Sequence, residues 1–233
     1  VDDVPFKLPR VGAKARDRAA RLLAMLDKHW SHARCELNFR TPHELLIATI
    51  LSAQATDASV NKATPALFAR FPRPVDYAEA TPGEIEPFIR AIGLYRNKAK
   101  AIHASMGALV ERFGGEVPQT MDEMLTLRGV ARKTANVVLG NAFGIQVGIP
   151  VDTHVTRLAG RLGLVPRGTT VGAIEKTLMA LFPRERWSDV SHMLIWHGRY
   201  QCKARGACCG GHEICREFGV RCEGRRDSSG RAG

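Results

Sequence analysis

No stretch of this chain approaches the ~18 consecutive apolar residues that a membrane-spanning helix needs, which excludes a helical membrane protein. Aromatic residues make up only 6% of it, too few for a surface that reads single strands by stacking bases. Apolar and polar residues nowhere alternate long enough to suggest a sheet, and no internal repeat is present. The opening residues, VDDVPFKLPR, lack the charged-then-apolar pattern of a secretory signal, so a protein that stays inside the cell is expected. Acidic residues are in short supply. Lys and Arg number 34 against 23 Asp and Glu, for a net charge of +11 and a sequence pI near 9.8. Such an excess favours a polyanionic partner held by salt-sensitive contacts, without separating DNA, RNA and anionic lipid.

What is present is helix after helix in 233 residues that are 45% hydrophobic, enough for one large or two modest cores. Ala19, Leu22, Leu23, Leu26 and Trp30 follow the 3.6-residue period between Ala15 and Trp30. Thr41-Pro42-His43-Glu44 is a capping box ahead of a helix that is apolar nearly all round, and hence central. Thr64-Pro65 is expected to start or kink the next helix, and Pro72 and Pro74 to punctuate a loop. Thr81-Pro82-Gly83-Glu84 opens another helix, with Gly93 as its expected C-cap. Further helices are expected over Asn97–Phe113, after Asp152, and around 171–182 and 188–199. The expected class is all-α.

One segment carries the chemistry. In TMDEMLTLRGVARKTANVVLGNAFGIQVGIPVDTHVTRLAGR, a capped helix from Thr120 runs into the tight turn Leu127-Arg128-Gly129-Val130-Ala131. Gly129 permits the positive φ of a sharp reversal, and the helix from about Arg132 begins with unpaired N–H groups suited to a phosphate. Lys133 lies at that start and Asp152 nineteen residues on, in Val-Asp-Thr-His. A desolvated lysine beside a carboxylate can offer a neutral amine to a sugar carbon and form a Schiff base. Considered alone, Asp152 is more often only an N-cap, and Lys133 more often a phosphate contact or solvated charge.

Cysteines are rare until the C-terminal stretch. Cys35 stands alone and is read as a small buried apolar residue. Cys202, Cys208, Cys209, Cys215 and Cys222 fall within 21 residues. Clustered thiols in an intracellular chain point to zinc or an iron–sulfur cluster more than to disulfides. From Glu223 onward the chain is Gly, Ser and Arg with no hydrophobe larger than alanine, and is expected to be a disordered tail, residues 223–233.

LRGVARKTANVVLGNAFG followed by VDTH, LSAQATD upstream, IGLYRNKAK between them and the terminal cysteines resemble the endonuclease III family of helix-hairpin-helix DNA glycosylases that also cleave at abasic sites. The resemblance implies two domains: residues 41–147, and residues 1–40 with 148–222. It places DNA and the extruded nucleotide in the groove between them, with Lys133 and Asp152 facing each other as the catalytic pair. It implies a monomer in a bacterial cytoplasm, at the nucleoid, acting on duplex DNA with oxidised pyrimidines or abasic sites. Gln54, in LSAQATD, would fill the space left by the flipped nucleotide, and Leu94, in Ile-Gly-Leu-Tyr, would wedge from the opposite side. Without the resemblance Gln54 is a polar helix-end residue and Leu94 a buried turn residue. Arg128, Gly129, Val130, Ala131 and Arg132 would lie at the DNA backbone, and His154 would position a phosphate or the carboxylate, or else be a plain surface histidine.

The family's [4Fe–4S] cluster is introduced by Gly-Arg-Tyr-x-Cys, matched here by Gly198-Arg199-Tyr200-Gln201-Cys202. The family's spacing then puts a cysteine where this chain has His212, so Cys202, Cys209, Cys215 and Cys222 are the expected ligands, with Cys208 rivalling Cys209 and His212 a further alternative. The hairpin departs too. The family's Leu-Pro-Gly-Val-Gly is here Leu127-Arg128-Gly129-Val130-Ala131, which is expected to loosen the turn and crowd the phosphate. A DNA-binding module with little catalysis therefore stays open beside the bifunctional glycosylase/lyase. A related adenine glycosylase is disfavoured, because it lacks a lysine at position 133 and carries a further C-terminal domain.

Overall fold

The computed structural model describes residues 4, 6–205 and 211–220. Among the described residues there are twelve α-helices and no strand. They are α1 (Ala13–Trp30), α2 (Pro42–Ser52), α3 (Asp57–Arg70), α4 (Pro74–Glu79), α5 (Pro82–Ile89), α6 (Tyr95–Phe113), α7 (Met121–Leu125), α8 (Arg132–Phe143), α9 (Thr153–Arg161), α10 (Val171–Leu181), α11 (Trp187–Trp196) and α12 (Glu213–Phe218). A π-helical turn, His197–Gln201, continues α11. The all-α class expected from the missing alternation is what the chain adopts. The tail expected at 223–233 lies outside the described residues.

The chain divides into two compact units, Cys35–Val147 and the two chain ends, Val1–Arg34 with Gly148–Gly233. Each has its own hydrophobic core. In the contiguous unit the core is built on α2, whose Leu45, Leu46, Ile47, Ala48 and Leu51 are wholly buried. Each large aliphatic side chain buried in this way contributes about 1.5–3 kcal/mol. Thr41 starts the helix, with its hydroxyl accepting from the Glu44 N–H at 3.3 Å, while the buried Glu44 carboxylate accepts from the Arg40 N–H at 2.6 Å and guanidinium at 2.9 Å. Cys35 is half-buried against this core. In the unit formed by the chain ends, Leu22 and Leu26 of α1 pack with Val155, Leu158, Leu178, Val190 and Leu194.

Three boundaries differ from those expected. The helix expected to start or kink at Thr64-Pro65 begins at Asp57, because the Thr56 hydroxyl caps the Ser59 N–H at 3.2 Å, and Pro65 lies inside it. The loop expected around Pro72 and Pro74 contains α4. Pro74 occupies its first turn, where no N–H is needed, and the Asp76 carboxylate accepts from the Arg73 N–H at 2.8 Å. Gly93 is not the C-cap of α5, which ends at Ile89 with Arg90 in an ordinary helical conformation; the left-handed residue is Leu94 (φ 60°).

Asp76 gives α4 a pH dependence. The hydrogen bond from the Arg73 side chain outweighs the opposing effect of burial and, with lesser help from the Arg73 N–H and nearby positive charge, holds its carboxyl below the usual range. Its stabilisation is therefore present above the unfolded pKa of about 4 and is lost as pH falls through the lower folded value. Asp76→Asn is expected to lower Tm at neutral pH by an amount worth under about 1 kcal/mol and to flatten the acid limb of a Tm–pH profile. An acid limb as steep in the variant as in the parent refutes this.

Candidate active site

The hairpin forms as its sequence suggests. The Thr120 hydroxyl accepts from the Glu123 N–H at 3.3 Å and donates to the Glu123 carboxylate at 2.6 Å, setting the start of α7. The Leu127 N–H to Met124 carbonyl and Val130 N–H to Leu127 carbonyl bonds, both 3.2 Å, then fold the turn. Gly129 has φ 81°, and a Cβ there would lie 3.0 Å from the Ala101 Cβ on α6. Both the conformation and the space demand glycine. One turn further along α6, the Ser105 hydroxyl donates to the Arg128 carbonyl at 2.6 Å. The turn is thus seated on α6 by one steric contact and one hydrogen bond.

Ala131, the N-cap of α8, has φ −98° and ψ 169°, an extended conformation that alanine holds without strain. Losing the family's glycine there costs no backbone strain, and Ser105 braces the turn that lacks the proline. Val130 is buried and its N–H is used within the turn, while the N–H groups of Gly129 and Ala131 have no partner among the described residues. No side chain caps α8, and no acidic residue occupies its first turn. Arg132 is half-buried and donates to the Val147 carbonyl at 3.2 Å. Lys133, next in line, is exposed, so the desolvation expected of a nucleophilic lysine is not built into the free protein.

Gln54 and Leu94 are the only non-glycine residues with positive φ among the described residues, at 55° and 60°. Ala53 (φ −58°, ψ 116°), followed by Gln54 and closed by the Ala55 N–H to Ser52 carbonyl bond of 3.1 Å, forms a type II turn at the end of α2. Its third position favours glycine or asparagine, and this chain places glutamine there, exposed. Leu94 is 58% exposed and is the N-cap of α6. The alternative for Leu94, a buried turn residue, does not hold.

Asp152, Lys133's expected partner, belongs to the other unit. It is the N-cap of α9: one carboxylate oxygen accepts from the Val155 N–H at 2.8 Å, and the other has no hydrogen bond among the described residues. The plain capping role and a free oxygen therefore coexist. His154 follows, half-buried, with Nδ1 accepting from the Arg157 guanidinium at 3.3 Å. Arg157 also donates to the carbonyls of Gly198 (2.8 Å) and Cys202 (3.1 Å). A Cβ on Gly198 would lie 3.0 Å from that guanidinium and 3.1 Å from the His154 Cβ. Glycine in the Gly-Arg-Tyr-x-Cys segment thus lets the π-helical turn pack against α9 before it delivers Cys202.

Cys202 and Cys215 are buried; Cys208, Cys209 and Cys222 lie outside the described residues. Among the described residues no group of three or more His, Cys, Asp or Glu could hold a metal ion. The two described thiols still suit thiolate ligands. The Arg161 guanidinium donates to the Cys202 Sγ at 3.4 Å. The Trp30 indole donates to Nδ1 of His197 at 3.2 Å, which puts the imidazole proton on Nε2, 3.2 Å from the Cys215 Sγ. Burial, with the nearby His212 and His29, pushes the His197 pKa down to about 3, so the ring stays neutral. N–H donors aimed at sulfur are what bound thiolates need. His212 instead caps α12, its Nδ1 accepting from the Ile214 N–H at 3.3 Å. Sequence reasoning missed Ser105, Arg157, Arg161 and His197, whose hydrogen bonds reach the hairpin or the Cys202 and Cys215 segments.

Fold and site together define a helix-hairpin-helix DNA repair protein, and residues 47–184 match the HhH-GPD superfamily base excision DNA repair protein. The chain is 51% identical over 203 residues to the endonuclease III of Synechocystis sp. (87% of this chain, 92% of the relative). It is 44% identical over 196 residues to that of Escherichia coli (83% and 92%). It also resembles a non-covalent endonuclease III–DNA complex and a trapped endonuclease III–DNA covalent intermediate, each with a TM-score of 0.84 at 44% identity over 88% of this chain and 95% of that one. The chain belongs to the endonuclease III family, and its activity is that of a bifunctional DNA glycosylase and abasic-site lyase.

Gly129→Ala, which forces a methyl against Ala101 and strains a left-handed backbone, is expected to cost about 1–3 kcal/mol of stability and to weaken binding of abasic-site duplex. Thermal melts and fluorescence anisotropy check it. Unchanged values in both would show that the turn needs neither the space nor the conformation.

Proposed function

We propose that the protein removes oxidised pyrimidines from duplex DNA and cuts the strand at the exposed sugar, with Lys133 as nucleophile and Asp152 as its carboxylate partner. The observation that carries this reading is the position of Lys133, exposed on the first turn of α8 just after two unpartnered amides. A phosphate held on the amides of Gly129 and Ala131 at the helix start fixes the backbone without reading sequence. Arg128 and Arg132 add positive charge beside it. DNA covering Lys133 removes its water, and the free oxygen of Asp152 takes its proton, which leaves a nucleophilic amine.

The amine adds to C1′ of the flipped-out deoxyribose, the C1′–N bond breaks, and the base leaves with a proton. Asp152 gives that proton up to the departing base, and its carboxylate then offsets the positive charge that develops on the sugar. The sugar ring then opens, the C1′–O4′ bond breaking as O4′ takes a proton, and the adduct becomes an imine that acidifies C2′; loss of a C2′ proton breaks the 3′ C–O bond, and water then releases Lys133. His154, whose Nδ1 accepts from Arg157, presents Nε2–H to a phosphate. Gln54 and Leu94 fill the gap left by the extruded nucleotide. Strained backbone at two exposed, bulky residues supports that role, since such strain persists where function requires it.

The same proposal has Cys202, Cys209, Cys215 and Cys222 holding a [4Fe–4S] cluster. Cys202 and Cys215 fit through their burial and N–H donors. When bound, the cluster supplies a structural clamp, and Lys203, Arg205 and Arg216, all exposed, are then placed to meet phosphates. The protein acts as a monomer on nucleoid DNA in a bacterial cytoplasm; no helix among the described residues is long and apolar enough to cross a membrane.

Borohydride added to protein and abasic-site duplex is expected to give a covalent adduct that disappears in Lys133→Ala. In Asp152→Asn its rate of formation is expected to fall by about 10²–10⁴. Adduct formed normally by Lys133→Ala, or DNA binding with no adduct in the parent, overturns the assignment. As purified, the protein is expected to be brown, with broad visible absorbance and about four irons per chain, both lost in Cys215→Ser; a colourless zinc protein refutes the cluster.

A further inference from the structure

Lys98 is buried in the first turn of α6, 6% exposed, in a chain whose other lysines mostly reach solvent. Its Nζ donates to the carbonyls of Leu51 at 2.9 Å and Ala53 at 2.6 Å. These belong to the end of α2, where helical carbonyls have no partner of their own. The Ser52 N-terminal neighbour Leu51 and its C-terminal neighbour Ala53 are thus both tied down, while the Ser52 carbonyl accepts from Ala55 and the Thr49 carbonyl from the Ser52 hydroxyl at 2.9 Å. The next residue after Ala53 is Gln54, in its left-handed conformation. At its other end, the Lys98 N–H closes the first turn of α6 onto the Leu94 carbonyl at 3.1 Å, and Leu94 is the second left-handed residue.

We infer that Lys98 is a positioning residue that joins the Gln54 turn to the Leu94 turn, so that the two exposed residues meet DNA as one preset pair. The inference rests on the assignment of Gln54 and Leu94 as the gap-filling residues. Each left-handed residue alone stores strain that relaxation of its turn would release. One ammonium bonded to two carbonyls on α2, carried by the first turn of α6, opposes relaxation of both. It also complements the negative end of the α2 dipole. Burial pulls the Lys98 pKa below the ordinary lysine value, as fits an ammonium whose water has been replaced by carbonyl oxygens. Nothing in this arrangement touches Lys133, so the chemistry of the amine is left alone.

The test uses the full-length protein as purified and two substrates: duplex with a dihydropyrimidine paired to a purine, and duplex with a preformed abasic site. Lys98→Met keeps the chain length and apolar stem and removes the donors; Lys98→Arg restores them. Excision of the paired base by Lys98→Met is expected to fall roughly tenfold, the scale of coupling within a shared hydrogen-bond network. Borohydride trapping at the abasic site stays within about twofold of the parent, and Lys98→Arg recovers part of the loss. A 2-aminopurine opposite a non-cleavable abasic analogue, which brightens when the orphaned base is unstacked, is expected to brighten less at saturating Lys98→Met. In the double variant with Gln54→Ala, Lys98→Met is expected to add little to the loss caused by Gln54→Ala alone.

Additive losses, unchanged excision, or equal losses of excision and trapping overturn the inference. If Lys98→Met fails to fold, Lys98→Gln, with a neutral donor, carries the same comparison. If Gln54→Ala and Leu94→Ala leave excision and fluorescence unchanged, the gap-filling assignment itself falls and takes the inference with it, an outcome read separately from any Lys98 variant.

Discussion

The absence of room for a single methyl group at residue 129 organises the hairpin of this protein. Gly129 lies against Ala101, and only a residue without Cβ, able to hold φ 81°, lets the turn close there. Because the turn closes, the amides of Gly129 and Ala131 are left without a partner among the described residues, and α8 starts where Lys133 is exposed on its first turn. The proposed anion site and the proposed nucleophile thus come from one steric constraint and one helix start. α6 underlies both, supplying Ala101 against the glycine, Ser105 to the Arg128 carbonyl and Lys98 to the end of α2.

The same physics recurs in the unit formed by the chain ends. Gly198 allows the π-helical turn to approach α9, and Arg157 fills the contact by donating to two carbonyls and to the His154 Nδ1. α9 therefore carries the Asp152 cap at its start and, through Arg157 and Arg161, the Cys202 segment along its length. The N-cap bond that fixes Asp152 consumes one oxygen only. A carboxylate held rigidly by a helix start, with a second oxygen available, suits a proton acceptor better than one on a free side chain.

The hairpin's departures from the family pattern carry little structural cost. At Ala131 the backbone is extended, which glycine is not needed for, and Arg128 has its carbonyl held by Ser105. Arg128 adds a positive charge at a turn whose neighbouring amides are open. The turn expected to loosen from residue identity alone is held by a hydrogen bond from α6.

Caps and periodicity were readable from the sequence because they are local: Thr41, Thr120 and Asp152 start helices through bonds to residues three positions on. Lys133 and Asp152 stood out for the same reason, since their chemistry follows from side chain and helix start. Two of the three misleading local signals were prolines, the third being Gly93: Pro65 lies within α3 and Pro74 begins α4, and only packing and the Thr56 and Asp76 caps decide between breaker and first-turn residue. The left-handed backbone of Gln54 and Leu94 was invisible, because neither residue type favours it and the contacts that hold it come from elsewhere. Lys98 left a faint trace, a lysine beside Ala99 and one turn before Ile102 on a buried face, but its two acceptors are 47 and 45 residues away. The sequence by itself determined the helices and the hairpin, which depend on neighbours along the chain, and with the family resemblance it pointed to Lys133 and Asp152 as the proposed pair. Tertiary structure alone decided which amides stay open, which thiols receive an N–H and which turns are held strained, because those depend on atoms that only folding brings near.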